Sequence, residues 1–165
     1  MRSRSSRSSE VGRAMGIASG LVLVSVLSGA APAVAGQAAA RDACTVLTLA
    51  ELSAAAGVTV QRPRPTSAPD GSTCRFRAGT ETLTLAIAPG TRADFDAFRK
   101  LLGDEGKTVE PVAGIGVAAY FWDNRIYALA GAHSFSVQVG EFAPANPARR
   151  QQARAVAAAV AAKLQ

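Results

Sequence analysis

The feature that most constrains this fold is a series of alternating runs joined by very short turns. The runs 83–87 and 135–139 alternate apolar residues with small or polar ones, which predicts half-buried strands. Only Asp123 and Asn124 separate two further strand-like runs, a spacing typical of a tight hairpin. Parallel pairing needs a crossover of about a dozen residues. The short turns therefore predict an antiparallel sheet.

A short first helix is predicted after Thr48. Thr48 and Glu51 have the spacing of a capping box. Leu47 and Leu52 flank the cap as a hydrophobic staple, and Gly57 is placed to end the helix in the left-handed conformation.

Two further helices are predicted from caps and periodicity. One covers 92–102, with Thr91 as its N-cap and Gly103 as its stop. The last begins with Asn146 as cap and Pro147 at the first helical position, and runs to about residue 164. We expect its narrow apolar stripe to pack on the sheet.

The order of elements predicts an α+β domain. Residues 58–72 contain three prolines and are expected to form an extended loop ending in an Asp70-Gly71 turn, before a strand around Cys74 and Phe76. The predicted order is α-β-β-α-β-β-β-α, with an antiparallel β-sheet, helices packed on it and one disulfide.

The disulfide is predicted from the cysteine count and the compartment. Cys44 and Cys74 are the two cysteines of the chain, and an even count in an exported protein favours pairing. Closing a loop of this length stabilises a fold by about 3–4 kcal/mol. A catalytic thiol acting with His133 is the alternative, and the second cysteine disfavours it.

The N-terminus has the pattern of a secretory signal peptide. Four arginines and one glutamate precede an uncharged segment, 17–35, which ends in Ala-Val-Ala before Gly36. The apolar run is shorter than the roughly 20 residues that a membrane span needs. We expect a signal peptide at 1–35, a flexible segment at 36–43 and one domain at 44–165. The expected location is secreted, periplasmic or otherwise extracytoplasmic, with membrane attachment only if the leader is uncleaved.

The charge of the chain does not indicate a nucleic-acid-binding protein. The whole sequence has a formal charge of +6, but the leader contributes half of it. The remaining 14 basic and 11 acidic residues give about +3, which is a weak electrostatic argument for nucleic acid.

Residues that could carry catalysis or bind metal are sparse. Gly114-Ile115-Gly116 precedes a strand rather than a helix, so it predicts a turn and not a phosphate cradle. His133 is expected in a turn near the surface and lacks metal-binding partners at useful spacing. Four clustered acids, Asp94, Asp96, Asp104 and Glu105, could bind a hard cation such as calcium, but no calcium-loop motif occurs and we expect them on a solvated helix face. We predict no catalytic residues, no metal and no cofactor.

Two groups of side chains are candidates for a binding surface. Tyr120, Trp122 and Tyr127 gather on one hairpin, where they either contribute to the core or form an exposed aromatic patch for a partner or glycan. Four arginines lie near one another if the proline-rich segment folds back on its strand, where they would either bind an anionic envelope polymer or serve as scattered solubilising charge: Arg62, Arg64, Arg75 and Arg77.

Three short motifs resemble a known family. The chain has Cys44-x-Val46-Leu47-Thr48-x-x-Glu51, a second cysteine, and Gly114-x-Gly116 followed by alanines. It is similar to small exported proteins and lipoproteins of high-GC bacteria that are defined as a domain of unknown function. It departs from them in having no lipid-attachment cysteine and in having Val117 where relatives often carry an acid. The resemblance implies an exported α+β domain with one disulfide and no established activity.

The function that the sequence favours is non-enzymatic binding. We expect an exported interaction protein of the bacterial cell envelope, whose partner is an unidentified protein or envelope polymer. Two alternatives remain open. One is a secreted hydrolase using His133 with a serine or carboxylate, and the other is a structural envelope protein anchored by an uncleaved leader.

Overall fold

A computed structural model describes residues 41–68, 71–140 and 146–165 of the chain. The predicted signal peptide, most of the predicted flexible segment and Asp70 of the predicted turn lie outside these residues. The described part contains three helices and seven strands. In chain order they are α1 Leu49–Ala56, β1 Val60–Ala68, β2 Gly71–Ala78, β3 Glu81–Pro89, α2 Arg92–Asp104, β4 Val109–Pro111, β5 Ala118–Trp122, β6 Arg125–Ala130, β7 His133–Val139 and α3 Pro147–Leu164.

The seven strands form one antiparallel sheet, which confirms the predicted α+β class. The spatial order is β1-β2-β3-β7-β6-β5-β4. The sheet consists of two meanders. In one, β1, β2 and β3 pair in sequence, and in the other β4, β5, β6 and β7 pair in sequence, which places β7 next to β3. The meanders meet where β3 pairs with β7, with Leu85 opposite Val137. Short turns dictate the meanders, whereas the β3–β7 pairing joins strands that are distant in the chain.

The structure contains two strands beyond the predicted order, and both lie at the edges of the sheet. The segment expected to be a proline-rich loop is β1, with Pro63 and Pro65 inside it. Proline cannot donate a ladder hydrogen bond, so it is confined to edges and irregular positions. β1 is such an edge, and its pairing with β2 shifts register between Gln61 and Arg64. β4 forms the other edge and ends at Pro111.

One face of the sheet, here called the first face, is covered by α1 and α3. Strand alternation points Leu83, Leu85 and Ile87 into this core, and all three are buried. The predicted stripe of α3 is buried as well and packs on β6 and β7. Its buried residues are Ala153, Val156, Ala157, Val160, Ala161 and Leu164.

The predicted disulfide is present and fastens the chain before α1 to the sheet. Cys44 bonds to Cys74 of β2, with 5.1 Å between the Cα atoms. Cys74 is fully buried in the first-face core. The bond therefore links the start of the domain to its interior, in agreement with the prediction.

The predicted helix ends are confirmed with one exception. At α1 the backbone N–H of Glu51 donates to the Thr48 hydroxyl, and Gly57 is left-handed with φ 67°. Asn146 caps α3 as expected. The exception is Gly103, which lies inside α2 instead of ending it. The chain reverses later, at Gly106, whose φ is 73°.

The opposite face of the sheet, here called the second face, is covered only in part. Among the described elements α2 lies over the β4–β5–β6 side, where Phe95 and Leu102 are buried against the sheet. The side chains of β2, β3 and β7 on this face are small or polar and leave a depression beside α2. This unequal covering positions the candidate site.

Candidate binding site

Three aromatic residues of the β5–β6 hairpin, Tyr120, Trp122 and Tyr127, pack under α2 and do not form an exposed patch. The rings of Tyr120 and Tyr127 stack with centroids 5.5 Å apart, and Trp122 stacks on Tyr127 at 6.0 Å. From α2, Phe95 lies 5.0 Å from Tyr120, and Phe98 lies 5.6 Å from Tyr127. The phenylalanines of α2 cover the hairpin, so Tyr120 is buried while Trp122 and Tyr127 are half-buried.

This aromatic cluster forms one wall of a groove on the second face. The groove has a volume of about 500 Å³, which lies within the ~300–1,000 Å³ range of small-molecule sites. Small residues of β3 and β7 form its floor, and β2 forms the opposite side. We call it the second-face groove, and its lining residues include Thr73, Ala86, Ala88, Asp94, Phe95, Phe98, Tyr120, Tyr127, Ser134 and Ser136.

The groove exists because of residue size at matching positions of neighbouring strands. Ala86 pairs with Ser136, and Ser136 pairs in turn with Tyr127. A row across the sheet therefore changes abruptly from small side chains to large rings. Phe98 of α2 lies over the rings and remains 39% exposed, so its edge borders the opening.

Two buried hydroxyls on this face lack hydrogen-bond partners among the described residues. They belong to Tyr120, which lines the groove, and Thr84, which lies one row away on β3. The large majority of buried polar atoms in native proteins are hydrogen-bonded. Burial, with a smaller effect of Tyr127, raises the pKa of Tyr120 to about 12. The phenol is therefore neutral at physiological pH and retains its proton for donation.

Among the described residues that line the groove, the one carboxylate, that of Asp94, is already engaged at the start of α2. Asp94 accepts hydrogen bonds from the Thr91 backbone N–H at 3.2 Å and from the Thr91 hydroxyl at 2.6 Å. These bonds lower the pKa of Asp94 below its usual value. Asp94 therefore acts as a helix cap, and its charge is held at the helix N-terminus where it is favoured.

The structure brings the predicted arginines of β1 and β2 to the second face. Arg64 is the direct cross-strand neighbour of Arg75, and Arg77 lies two residues farther along β2. The three side chains are exposed. The side chain of Arg62 lies outside what the structure describes, so its place in this set stays a prediction.

His133 is not the surface turn residue that the sequence suggested. It begins β7 and is buried, with 7% of its surface exposed. It pairs with Pro89 and Ala130, and strand alternation turns it to the face opposite that of Ser134. The tight reversal at Gly131 allows pairing to start earlier than expected.

The remaining sequence candidates are structural in the described part of the chain. Gly114 and Gly116 have positive φ values of 80° and 54° and form the turn before β5, as predicted. On α2, Asp96 pairs with Arg92 at 2.7 Å and Asp104 with Lys100 at 2.6 Å. No group of three or more potential metal ligands occurs among the described residues.

A second concavity lies between the β4–β5 edge and α3. Its charged groups bind one another: Arg150 forms an ion pair with Glu110, and its guanidinium lies 4.3 Å from the centre of the Phe121 ring. Arg154 donates to the Ala113 carbonyl at 3.1 Å. Because these groups are satisfied internally, the second-face groove is the better candidate site.

Sequence reasoning singled out the tyrosines of the aromatic wall but missed the floor, and the arginines that it also proposed are not among the residues that line the groove. Ala86, Ser134 and Ser136 carry no catalytic or binding motif, and nothing local marks them. The signal that could have indicated the floor is the small size of the second-face residues of β3 and β7, two strands that the sequence did predict. Their adjacency in the sheet had to be known before that signal could be used.

Comparisons of the chain with protein-family models, with curated proteins and with solved structures found no match. In the described part of the chain, no helix has the length and apolar character required to cross a membrane. The disulfide fits a protein that functions outside the cytosol, where such bonds form and persist.

Proposed function

We propose that this chain is an exported, non-enzymatic binding protein of the bacterial cell envelope and that it binds its ligand in the second-face groove. The observation that carries the proposal is the groove itself, which combines aromatic residues, hydroxyls and a volume of about 500 Å³. Concave sites lined mainly by apolar and aromatic side chains, with a few polar groups, are typical of ligand binding.

The location in the proposal follows from the N-terminal sequence and from the cysteines. The basic, apolar and small-residue segments of 1–35 have the order of a signal peptide. The disulfide between Cys44 and Cys74 is consistent with an oxidising compartment. The resemblance to small exported bacterial proteins points in the same direction.

The arrangement of hydroxyls and imidazole does not favour the hydrolase alternative. A serine nucleophile needs a base within hydrogen-bonding reach, in a cleft that also admits substrate. Ser134 and Ser136 line the groove, whereas His133 points to the other face of the sheet. The groove is therefore better suited to binding than to acyl transfer.

The test compares the protein with a variant whose groove is filled. In Ala86→Phe, a bulky side chain would project from the floor beside Ser136. Ala162→Phe is the matched control, because Ala162 is exposed on α3 in the other helical layer. Fractions of the cell envelope should raise the melting temperature of the native protein and of Ala162→Phe.

The same fractions should leave the melting temperature of Ala86→Phe unchanged. An equal increase for both variants would place binding elsewhere and contradict the proposal. The absence of an increase with any envelope fraction would also contradict it. N-terminal sequencing of the exported protein tests the anchored alternative, since a chain starting at Gly36 has no leader.

A further inference from the structure

The aromatic side chains of the second face form a stack that ends at Tyr127. The rings of Tyr120 and Trp122, both on β5, stack on Tyr127 with interplanar angles of 19° and 26°. Because both stacking partners belong to β5, the opposite face of the Tyr127 ring is directed to β7. Its cross-strand neighbour there is Ser136, which has no ring. The aromatic residue of β7, Phe135, belongs to the first-face core, so no described ring of β7 continues the stack.

The position next to the open face of Tyr127 has a floor of small side chains. The groove row, as we call it, runs across the sheet through five cross-strand neighbours: Thr73, Ala86, Ser136, Tyr127 and Tyr120. Ala88 and Ser134 form the next pair of floor residues on β3 and β7, and both line the groove. Neighbouring strands lie about 4.8 Å apart, close to the 5.5 Å between the centroids of the two tyrosine rings. A flat ring standing above Ser136 would therefore continue the stack at the same spacing.

The charge of the groove lining is negative. In the described part of the chain its one charged residue is Asp94, which is exposed. Both hydrogen bonds from Thr91 reach Oδ2 of Asp94, whereas Oδ1 accepts none from the described residues. Hydrogen bonding to Thr91 holds the pKa of Asp94 below its usual range, so the carboxylate is ionised at neutral pH. One charged oxygen therefore remains available to a cationic ligand.

The arginines of the second face lie outside the groove lining. Arg64, Arg75 and Arg77 are not among the residues that line it. The guanidinium of Arg125 lies 5.9 Å from the centre of the Tyr127 ring, and its Nε–H donates to the Gln138 side chain at 3.2 Å. Gln138 lies beyond Ser136 on β7, so this contact holds the guanidinium at the neighbouring row. A ligand in the groove therefore meets a carboxylate in the lining and guanidinium groups only outside it.

The position of Asp94 on α2 sets the distance between the carboxylate and the stack. Asp94 and Phe98 are four residues apart, so they lie on the same side of the helix with Cβ atoms about 5–6 Å apart. Both line the groove, and the centroid of the Phe98 ring is 5.6 Å from that of Tyr127. A ligand that reaches from Tyr127 to Asp94 therefore needs only a short chain between its ring and its charge.

From this arrangement we infer that the ligand is an arylalkylamine, in which a flat aromatic ring carries a protonated amino group on a short chain. The ring stacks on Tyr127 above Ser136, and the ammonium group donates to Oδ1 of Asp94. The inference rests on the proposed function, because it names the ligand class for the same groove. Charge complementarity selects the cation, since an anion would be repelled by Asp94 and a neutral ring would leave Oδ1 unused.

The test uses four ring compounds of similar length with the full chain, and NMR titration measures each dissociation constant. Phenethylamine is the aromatic cation, phenethyl alcohol its neutral counterpart, hydrocinnamate its anionic counterpart and cyclohexylethylamine a cation without an aromatic ring. Phenethylamine should bind about fivefold more tightly than the alcohol, which is the effect of an exposed ion pair. It should also bind more tightly than cyclohexylethylamine, because only a flat aromatic ring can stack. Hydrocinnamate should not bind.

Two variants locate the charge. Asp94→Asn keeps the size of the side chain and an oxygen for the Thr91 cap, and it should weaken binding of phenethylamine about fivefold. Binding of phenethyl alcohol to this variant should be unchanged, which also shows that the groove is intact. Asp104→Asn is the charge-matched control at the other end of α2, where Asp104 pairs with Lys100 outside the groove lining. It should bind phenethylamine like the native protein.

Two further variants locate the ring. Ser136→Phe places a side-chain ring beside Tyr127 in the groove row, so it should continue the stack itself and abolish binding of phenethylamine. Its melting temperature should equal or exceed that of the native protein, because the added ring stacks on Tyr127. Ser136→Ala keeps the floor small and should bind like the native protein.

The outcomes separate this inference from the proposed function. If the alcohol or hydrocinnamate binds as tightly as phenethylamine, or if Asp94→Asn keeps native affinity, the charge assigned to the ligand is wrong. If cyclohexylethylamine binds as tightly, or if Ser136→Phe still binds phenethylamine, stacking on Tyr127 is wrong. If no probe binds while envelope fractions still stabilise the native protein and not Ala86→Phe, the ligand class is wrong and the groove remains the site. If neither probes nor fractions bind, both proposals fail.

Discussion

Arg64 of β1 and Arg75 of β2 are direct cross-strand neighbours, and both side chains are exposed. Like charges placed directly opposite each other destabilise a strand pair by up to about 1 kcal/mol. Both arginines lie next to the groove row on the same face. The arrangement stabilises the fold less than an oppositely charged pair would.

Arg64→Glu should therefore stabilise the protein. We expect the free energy of unfolding to rise by about 0.2–1 kcal/mol, because the substitution creates an opposite-charge pair. Urea unfolding at low ionic strength measures the change, and added salt should reduce it. Arg64→Gln should give a smaller increase. A loss of stability in Arg64→Glu at low salt would contradict the expected repulsion.

Removing the disulfide should cost a large part of the stability. The double variant Cys44→Ala, Cys74→Ala loses a cross-link across 30 residues, which is worth about 3–4 kcal/mol. Urea unfolding with and without reductant measures it: reductant should destabilise the native protein and leave the variant unaffected. Alkylation of either cysteine in native, unreduced protein would contradict the bond.

Two glycines should respond in opposite ways to alanine. Gly116 has φ 54°, and a Cβ there would lie 2.2 Å from the Leu129 carbonyl oxygen, so Gly116→Ala should lose at least about 2 kcal/mol. Gly103 lies inside α2 with open space around it, so Gly103→Ala should gain about 0.5–1 kcal/mol. Chemical unfolding compares the two, and a destabilised Gly103→Ala would mean that α2 ends earlier.

Tyr120→Phe should keep or increase stability despite the loss of a hydroxyl. That hydroxyl is buried and has no partner among the described residues, so an apolar replacement of the same shape is expected to change the free energy of unfolding by zero to about +1 kcal/mol. Thermal unfolding at pH 8 measures this. A loss above about 1 kcal/mol would show that the hydroxyl makes a stabilising bond.

The same residue predicts sensitivity to alkali. Burial raises the pKa of Tyr120 from 10.0 to about 12, so between these values the unfolded chain releases the phenol proton more readily than the folded one. The stability due to this group is complete below pH 10 and is lost as pH rises toward 12. Melting temperatures from pH 8 to 11 should fall less steeply for Tyr120→Phe. Parallel curves would contradict the shifted pKa.

Acid should weaken the contact between β3 and α3. Two hydrogen bonds of 2.9 Å join the Arg149 Nε–H to the Glu81 carboxylate, and they lower the pKa of Glu81 below its usual 4.5. The unfolded chain takes up the proton first as pH falls. The stabilisation is therefore present above about pH 4.5 and is lost as pH falls through the lowered value.

The matched variant for this pair is Glu81→Gln. It should be less stable than the native protein at pH 7 and should lose less stability between pH 5 and pH 3. Chemical unfolding across this range gives, for each protein, the slope of the free energy of unfolding against pH. Other carboxylates contribute to the native slope, including Glu51, whose pKa the hydrogen bond from Lys163 helps to lower to about 2. Identical slopes for the two proteins would contradict a coupling through Glu81.

Local chemistry explains which predictions were correct. The Thr48–Glu51 capping box, the Asn146 cap and the Asp123-Asn124 turn depend on contacts between residues at most a few positions apart. Such contacts form wherever the segment lies in the fold. β1 was missed because proline normally opposes strand formation, and only its position at the sheet edge removes the need for the missing donors.

The sequence alone determined the pairings across short turns, the N-caps and the facing of the strands that it predicted, because each follows from spacing along the chain, and it determined the cysteine pairing through the even cysteine count. The tertiary structure decided that β3 pairs with β7 and that α2 covers only one side of the second face. Those two choices place Ala86 beside Ser136 and both beside the tyrosine rings. A groove is the space left between elements that meet from distant parts of the chain, and no local pattern specifies it.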